Sequence, residues 1–458
     1  MECNEPFMSM PPLPRPIHLF LTARDADYRL SKIPLASVPT DKSDHRRIQV
    51  HPGTTFQTIE GFGGAFTEAA AVTWLALSPA CREELLHAYF DPEMGHGYTL
   101  CRVPMGSCDF ALGNYAHVET AGDVELATFS IARDRQAIIP FIQAAQQVAG
   151  HPIKLLASPW SPPAWMKSNG QMNRGGTLLP EYRQAWARCF VRFIHAYAEE
   201  GIPIWGVTVQ NEPMAVQPWD SCLYSAEAER DFVRDFLGPE LTAAGLGEIK
   251  IIIWDHNRDQ MVKRTRVAFS DPEASRFIWG TGFHWYGEDC FDHVQEVHDA
   301  WPHKHLLFTE GCQEGGPHTG SWELGERYAR SMIQDLNRWT EGWIDWNLLL
   351  DTQGGPNHVG NLCSAPVLAD PEMDTLHWQS SYYYLGHFAR FVKVGARRLG
   401  CDTSTAELEA AAFLNLDGAI ATVVMNRTET PLGFELCSGE GPGLRTGLPP
   451  RSIATYLS

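Results

Sequence analysis

Apolar and polar positions follow two different rhythms along the chain. Between Ile59 and Leu350, short apolar runs recur, and several are followed by longer segments with apolar residues every three or four positions. A buried strand followed by an amphipathic helix is the repeating unit of βα architecture. The runs are Ile59–Phe66, Tyr98–Pro104, Ile153–Ser158, Ile204–Gln210, Ile249–Trp254, one ending at Phe283-His-Trp-Tyr286, Leu306–Gly311 and Gly342–Leu350. Helical periodicity fills Thr67–Ala76, Pro79–Phe90, Asp134–Gln147, Glu181–Glu200, Ala226–Ala244 and Leu324–Trp339. Eight such units predict an α/β fold, a (β/α)8 TIM barrel over residues 56–385. The first run, Glu60-Gly-Phe-Gly-Gly-Ala-Phe66, is too glycine-rich for a helix and is not spaced as a phosphate-binding loop. It suits a strand whose backbone passes close to its neighbours.

Outside that span the rhythm is period two. Ala410–Leu414, Ala419–Asn426, Leu432–Leu436 and Ile453–Leu457 read as strands, and Asn415-Leu-Asp-Gly418 as a hairpin turn. Ile17–Leu21 and Arg47–Val50 also read as strands, and no helix follows to place them in a βα unit. They need another sheet. The expected second body is therefore a small antiparallel β-sandwich built from both termini, residues 17–55 with 386–458. Residues 1–16, rich in Pro and Met, are expected to form a disordered or extended arm.

Composition narrows the function. The 36 basic and 55 acidic residues give a net charge of −19, which disfavours nucleic acid and anionic membrane surfaces as partners. No apolar run of about eighteen residues exists to span a membrane. The start, Met1-Glu-Cys-Asn-Glu-Pro6, has neither a basic nor an apolar leader region, so a cytoplasmic address is expected. Eleven scattered cysteines without a Cys-x-x-Cys pair point to reduced thiols rather than a disulfide frame or zinc knuckle. The pattern fixes no oligomeric state.

Candidate chemistry sits at strand ends. Pro213 cannot continue a ladder, so Asn211 and Glu212 close the fourth run, and Glu310 closes the seventh. Both lie on the catalytic face of a barrel, across one pocket. Two facing carboxylates are what glycosidic bond cleavage needs: one protonated to release the leaving oxygen, one ionised to attack the anomeric carbon, with environments that separate their pKa values. A spacing of about 5–5.5 Å is expected for a retaining enzyme. The histidines His256, His284 and His358 lack metal-ligand spacing, and neither metal nor cofactor is expected.

In sequence order, Glu60-Gly-Phe-Gly-Gly-Ala-Phe-Thr67, Arg102-Val-Pro-Met-Gly-Ser-Cys-Asp-Phe110, Ala157-Ser-Pro-Trp-Ser-Pro-Pro-Ala-Trp-Met-Lys167, Thr208-Val-Gln-Asn-Glu-Pro213, His284-Trp-Tyr286, Phe308-Thr-Glu-Gly-Cys312, Asp345-Trp-Asn347 and Gly354-Gly-Pro-Asn357 resemble glycoside hydrolase family 30, in its glucosylceramidase-like branch. The resemblance runs from about residue 20 to the C-terminus. It implies a retaining, exo-acting β-glycosidase for a small-molecule or oligosaccharide β-glycoside. By matched position, Glu212 is the acid/base and Glu310 the nucleophile. Asn211 would bind the sugar 2-hydroxyl and Tyr286 would orient Glu310. Asp109, Trp160 and Trp346 would hold the distal hydroxyls and ring face, Arg102 would lie beneath the nucleophile, and His284 and Asn361 match further pocket positions.

Structural alternatives stand beside these roles. Asp109 can be a loop cap, Arg102 an ion pair within the barrel, Trp160 and Trp346 core residues, and His284 a satisfied histidine behind the site. The segment Met214–Cys222 is shorter than in the lysosomal member of the branch, and His358 and Leu362 replace larger aromatics, so a ceramide aglycone is a weaker inference than the β-glucosyl glycone. β-Xylosidase, β-fucosidase or β-1,6-glucanase activity uses the same glutamates. A non-catalytic carbohydrate-binding barrel would not require both.

Overall fold

The computed structural model describes residues 16–35 and 45–458. The expected arm falls, but for Pro16, outside these residues. Eight parallel strands, Gly61–Ala65, Leu100–Pro104, Lys154–Ser158, Ile204–Thr208, Lys250–Asn257, Ile278–His284, His305–Glu310 and Gly342–Asn347, close into a barrel in which the last pairs with the first. The strands are apolar on both faces because both are covered. Leu100, Leu156, Ile252, Leu307 and Ile344 form one buried cluster, while their neighbours Cys101, Leu155, Ile251, Ile253, Leu306 and Phe308 pack into the larger core with the helices. The first strand needs its glycines: a Cβ on Gly63 would collide with the Leu100 carbonyl oxygen, and one on Gly64 would lie 2.8 Å from Leu348 Cδ2.

The helix expected at Ala226–Ala244 is present, but with a π-helical turn at Val233–Leu237 between α-helical Ala226–Phe232 and Gly238–Ala243. Pro239 has no N–H to give to the ladder at that point, which accounts for the change of pitch.

The second body is a nine-stranded sheet with strands from both termini. His18–Ala23 pairs antiparallel with Ser452–Leu457, and Arg47–Thr58 pairs with both Arg397–Thr403 and Leu432–Ser438. The last of these pairs is parallel, so the sheet is not purely antiparallel as expected. The sheet folds over itself. Phe434 and Tyr456 lie on strands far apart in its order, yet their rings approach to 6.1 Å, and the Tyr456 hydroxyl is 3.1 Å from Thr446 Oγ1. Three of its strands escape the sequence pattern, Ser31–Ile33, Arg397–Thr403 and Leu444–Leu448. Arg398 hides a strand position because its guanidinium lies flat on the Phe56 ring, 3.5 Å from the centroid, and behaves there as an apolar plate. Helix Ser380–Ala389 runs through the expected boundary at residue 386, and His387 hydrogen-bonds Thr22 and Thr455 of the sheet. Among the described residues no helix is long and apolar enough to cross a membrane.

Candidate active site

A buried arginine organises the top of the barrel. Arg102, on the second strand, has no solvent exposure and five hydrogen bonds. Its guanidinium donates to Ser158 Oγ (3.0 Å), the Thr309 carbonyl (3.0 Å), Glu310 Oε2 (2.8 Å), Asn211 Oδ1 (2.9 Å) and Asp255 Oδ2 (2.7 Å). The planar fork of arginine suits this; a lysine would reach fewer of these acceptors. The ring of Trp160 lies 4.8 Å from the guanidinium and stacks on Trp346 at 5.1 Å.

Glu310 ends the seventh strand. Tyr286 donates its hydroxyl to Oε1 at 2.8 Å, so each carboxylate oxygen has its own donor. Glu212 lies four residues beyond the last paired residue of the fourth strand, Thr208. Its φ of 46° is unusual for a glutamate, and it precedes a proline. Such backbone costs roughly 1–3 kcal/mol and persists only where the surroundings fix it. Here the Glu212 N–H donates to the Asp255 carbonyl at 3.0 Å, and Asp255 itself has a φ of 49°. His284 Nδ1 lies 3.3 Å from Glu212 Oε1, and His284 Nε2 lies 3.0 Å from Asp255 Oδ1. Thr309 donates to the same Asp255 oxygen at 2.6 Å.

One carboxylate oxygen of Glu212 and one of Glu310 lie within 4.8 Å of each other, with a His284 nitrogen inside the same limit. The trio does not fit a metal ion well: both His284 nitrogens are committed to carboxylates, and Arg102 already supplies the cation at Glu310. Electrostatics in the free site departs from the sequence-based expectation. Burial raises Glu310 above the ordinary carboxyl value, opposed by His284 and Arg102 and reinforced by Glu212. Burial acts the same way on Glu212, but the His284 hydrogen bond and the nearby His256 bring it below its ordinary value. The order is thus the reverse of an acid held high and a nucleophile held low. His284 supplies the charge beside Glu212: burial opposes that charge, yet Glu310, Asp255 and Glu212 together raise its pKa to about 9. Burial raises Asp255 too, but Arg102, His284 and Thr309 hold it well below the carboxyl range.

The pocket above this floor holds about 280 Å³ and is lined by Asp109, Trp160, Asn211, Glu212, Tyr286, Glu310, Trp346 and Asn361, all anticipated from sequence. Asn211 spends its carbonyl on Arg102, which leaves its amide NH2 for a ligand. Asn361 donates to Asp109 Oδ2 at 2.9 Å, and His358 Nδ1 meets the Asp109 carbonyl at 3.0 Å. Burial pushes Asp109 up to about 7 despite the Asn361 bond. Arg102 and His284 do not line the pocket; they contact Glu310 and Glu212 from behind it. Trp285 and Trp165 are packing residues, their indole N–H groups bonded to the Cys312 and Val118 carbonyls. Sequence reasoning missed Asp255, His256, Asn257, Trp219, Gln217 and Glu314. Asp255-His-Asn257 directly follows an apolar run, and that strand-end position was the available sign.

A closed (β/α)8 barrel with two glutamates facing each other at the carboxyl ends of strands four and seven defines a glycoside hydrolase of the two-carboxylate kind. The chain belongs to glycosyl hydrolase family 30: residues 59–392 match its TIM-barrel domain and residues 395–456 its beta sandwich domain. It is 36% identical to the lysosomal acid glucosylceramidase of Mus musculus over 90% of this chain and 83% of that protein. The crystal structure of SrfJ from Salmonella typhimurium superposes with a TM-score of 0.92 at 39% identity, covering 96% of this chain and 99% of that one. A solved endo-beta1,6-glucanase superposes with a TM-score of 0.86 at 30% identity, covering 96% and 98%.

Proposed function

We propose that this glycoside hydrolase is a retaining, exo-acting β-glycosidase for a glucose-type glycone, with Glu310 as nucleophile and Glu212 as acid/base. The observation that carries the reading is the close approach of the two carboxylates, within 4.8 Å, too tight for a water to be activated between them. Glu310 attacks the anomeric carbon with Arg102 and Tyr286 holding one oxygen each. His284 keeps a proton one hydrogen bond from Glu212, and Asp255 fixes its other nitrogen. Delivery through that bond protonates the leaving oxygen. Glu212, then ionised, activates the water that releases the glycosyl-enzyme. The pair Asp109–Asn361 offers a carboxylate oxygen and amide to distal hydroxyls, and the stacked Trp160 and Trp346 close the pocket wall.

Gln217, His256, Asn257, Glu314 and Trp219 also line the pocket, a polar enough set for a sugar aglycone. This supports a second reading, β-1,6-glucanase activity. Met214 and Val216, exposed on the loop after Glu212, are an apolar counterweight. Turnover of aryl β-glucosides, β-1,6-linked glucose oligomers and a glucosylated lipid, side by side, separates these aglycones.

The chemical assignment is tested with glutamine variants. Glu310→Gln should be inactive on every substrate, because an amide cannot replace the attacking carboxylate. Glu212→Gln should still release 2,4-dinitrophenolate, which needs no proton, and then stall at the glycosyl-enzyme. Azide needs no base, so it should restore turnover of Glu212→Gln and give a β-glycosyl azide. Rescue of Glu310→Gln instead would exchange the two roles.

A further inference from the structure

Two residues past Glu310, the chain places a thiol in the pocket wall. Cys312 and Cys363 both line the pocket, beside Tyr286 and Glu310, and neither is in a disulfide. They come from separate loops that run side by side. Glu314 and Cys363 form an antiparallel bridge, Ser364 N–H donates to the Gln313 carbonyl at 2.8 Å, and Gln313 N–H reaches Ser364 Oγ at 3.2 Å. The pairing holds both thiols in one small buried cluster, with Trp160 and Trp346. Backbone contacts fix each one: the Trp285 indole donates to the Cys312 carbonyl at 3.0 Å, and Cys363 N–H donates to the Gly354 carbonyl at 3.0 Å. The Cys312 sulfur is also 3.5 Å from the Tyr286 hydroxyl. Cys108 belongs to the same buried cluster but does not line the pocket. Thiols are weak hydrogen-bonding groups, so sugar recognition does not account for a pair of them here, and double displacement uses neither.

We propose that Cys312 and Cys363 form a dithiol site in the pocket wall for a soft centre that binds two sulfurs, such as a trivalent arsenical or thiophilic metal ion, and that loading it shuts the active site. Soft thiolate pairs select such centres over the hard ions that carboxylates prefer. The shutting half rests on the function proposed above; the binding half does not. With phenylarsine oxide the step is a condensation. Two As–S bonds form, the As–O bond breaks, and the oxygen leaves as water with the two thiol protons. Arsenic stays trivalent and no oxidant is needed. The neighbouring Cys363 thiol and burial raise Cys312 well above the ordinary thiol value, which suits a reaction of neutral thiols and disfavours peroxide oxidation, which needs the thiolate. An arsenic between the sulfurs would crowd the Tyr286 hydroxyl and the space over Glu310.

The test treats the full-length protein with phenylarsine oxide, washes with 2-mercaptoethanol, then alkylates the remaining thiols after unfolding and maps them by mass spectrometry. The expected result is one arsenical per chain that resists the monothiol, with Cys312 and Cys363 together shielded from alkylation. Aryl β-glucoside hydrolysis is lost and returns with 2,3-dimercaptopropanol. Cys363→Val should take up no monothiol-resistant arsenical, and any turnover it has should be insensitive to the reagent. The map on the unaltered protein decides the matter if that variant does not fold. Shielding of other cysteines, or no adduct, overturns the site. An adduct on this pair with full turnover overturns the shutting. An untreated protein that hydrolyses no glycoside would count against the proposed function while leaving the mapped adduct as evidence for the site.

Discussion

Tyr286 bears on Glu310 through one hydrogen bond of 2.8 Å to Oε1, at a group with almost no access to water. A bond to a charged partner contributes about 1.5–3 kcal/mol. Tyr286→Phe should therefore lower kcat by roughly ten- to a hundred-fold, at about 1.4 kcal/mol per decade. The hydroxyl favours the ionised form of Glu310, so its loss raises the Glu310 pKa, and the acid limb of the kcat profile should move to higher pH. An unchanged kcat and limb would remove Tyr286 from the mechanism. Tyr286 and both glutamates were legible because short motifs surround them. Asp255 was not, although it ties together Arg102, His284 and Thr309. Its one local sign is its place after an apolar run, and that does not reveal an aspartate that acts through three residues distant in sequence. The protonation order was illegible for the same reason: it depends on His284 sitting among three carboxylates, which only the closed barrel creates.

At the scale of elements, the eight barrel strands could be read because each is a short, doubly buried run, and the error lies at their ends. The fourth strand stops at Thr208 rather than Gln210, and the fifth continues past Trp254 to Asn257. Those ends are where backbone leaves regular geometry to aim side chains, at Glu212, Trp254 and Asp255. The terminal strand His18–Ala23 illustrates what period two does reveal. Leu19 and Leu21 alternate inward, each about 1% exposed, against Ala454 and Tyr456 of the partner strand. Leu21→Ala should cost about 2–5 kcal/mol, the range for a buried leucine truncation. A urea midpoint should record the loss, while kcat/KM of the folded enzyme stays as it was, since the site lies on the barrel. A midpoint within error of the parent would mean that this strand does not hold the sheet together.

At the scale of the whole molecule, barrel and sheet are not separable bodies. Their apolar faces share one core: Met332, Leu336 and Phe388 of the barrel side pack in the same cluster as Phe413, Val423 and Met425 of the sheet. Arg451 and Glu326 bridge the two at 2.6 Å. Calorimetry should therefore show one unfolding transition; two resolved transitions would refute the shared core. His387 sits at this junction, fully buried between Thr22 and Thr455, 2.9 Å from each hydroxyl, and burial lowers it to about 3. A histidine depressed in the fold contributes stability above its unfolded value near 6.5 and loses it as pH falls, because only the unfolded chain takes up the proton. The loss is about 1.4 kcal/mol per pH unit below that value. His96, lowered to about 3 by burial, adds in the same direction. Asp109 and Asp345, raised by burial to about 7 and about 8, act oppositely, so the pH trend of the parent alone does not isolate the junction. A difference measurement does. His387→Asn should be less stable than the parent at pH 7, and the gap should narrow by about 1.4 kcal/mol per unit as pH falls from 6.5 toward 4. Urea unfolding of both proteins at pH 7, 6 and 5 reads the gap directly. A gap that stays constant would mean that His387 is not held neutral at the junction.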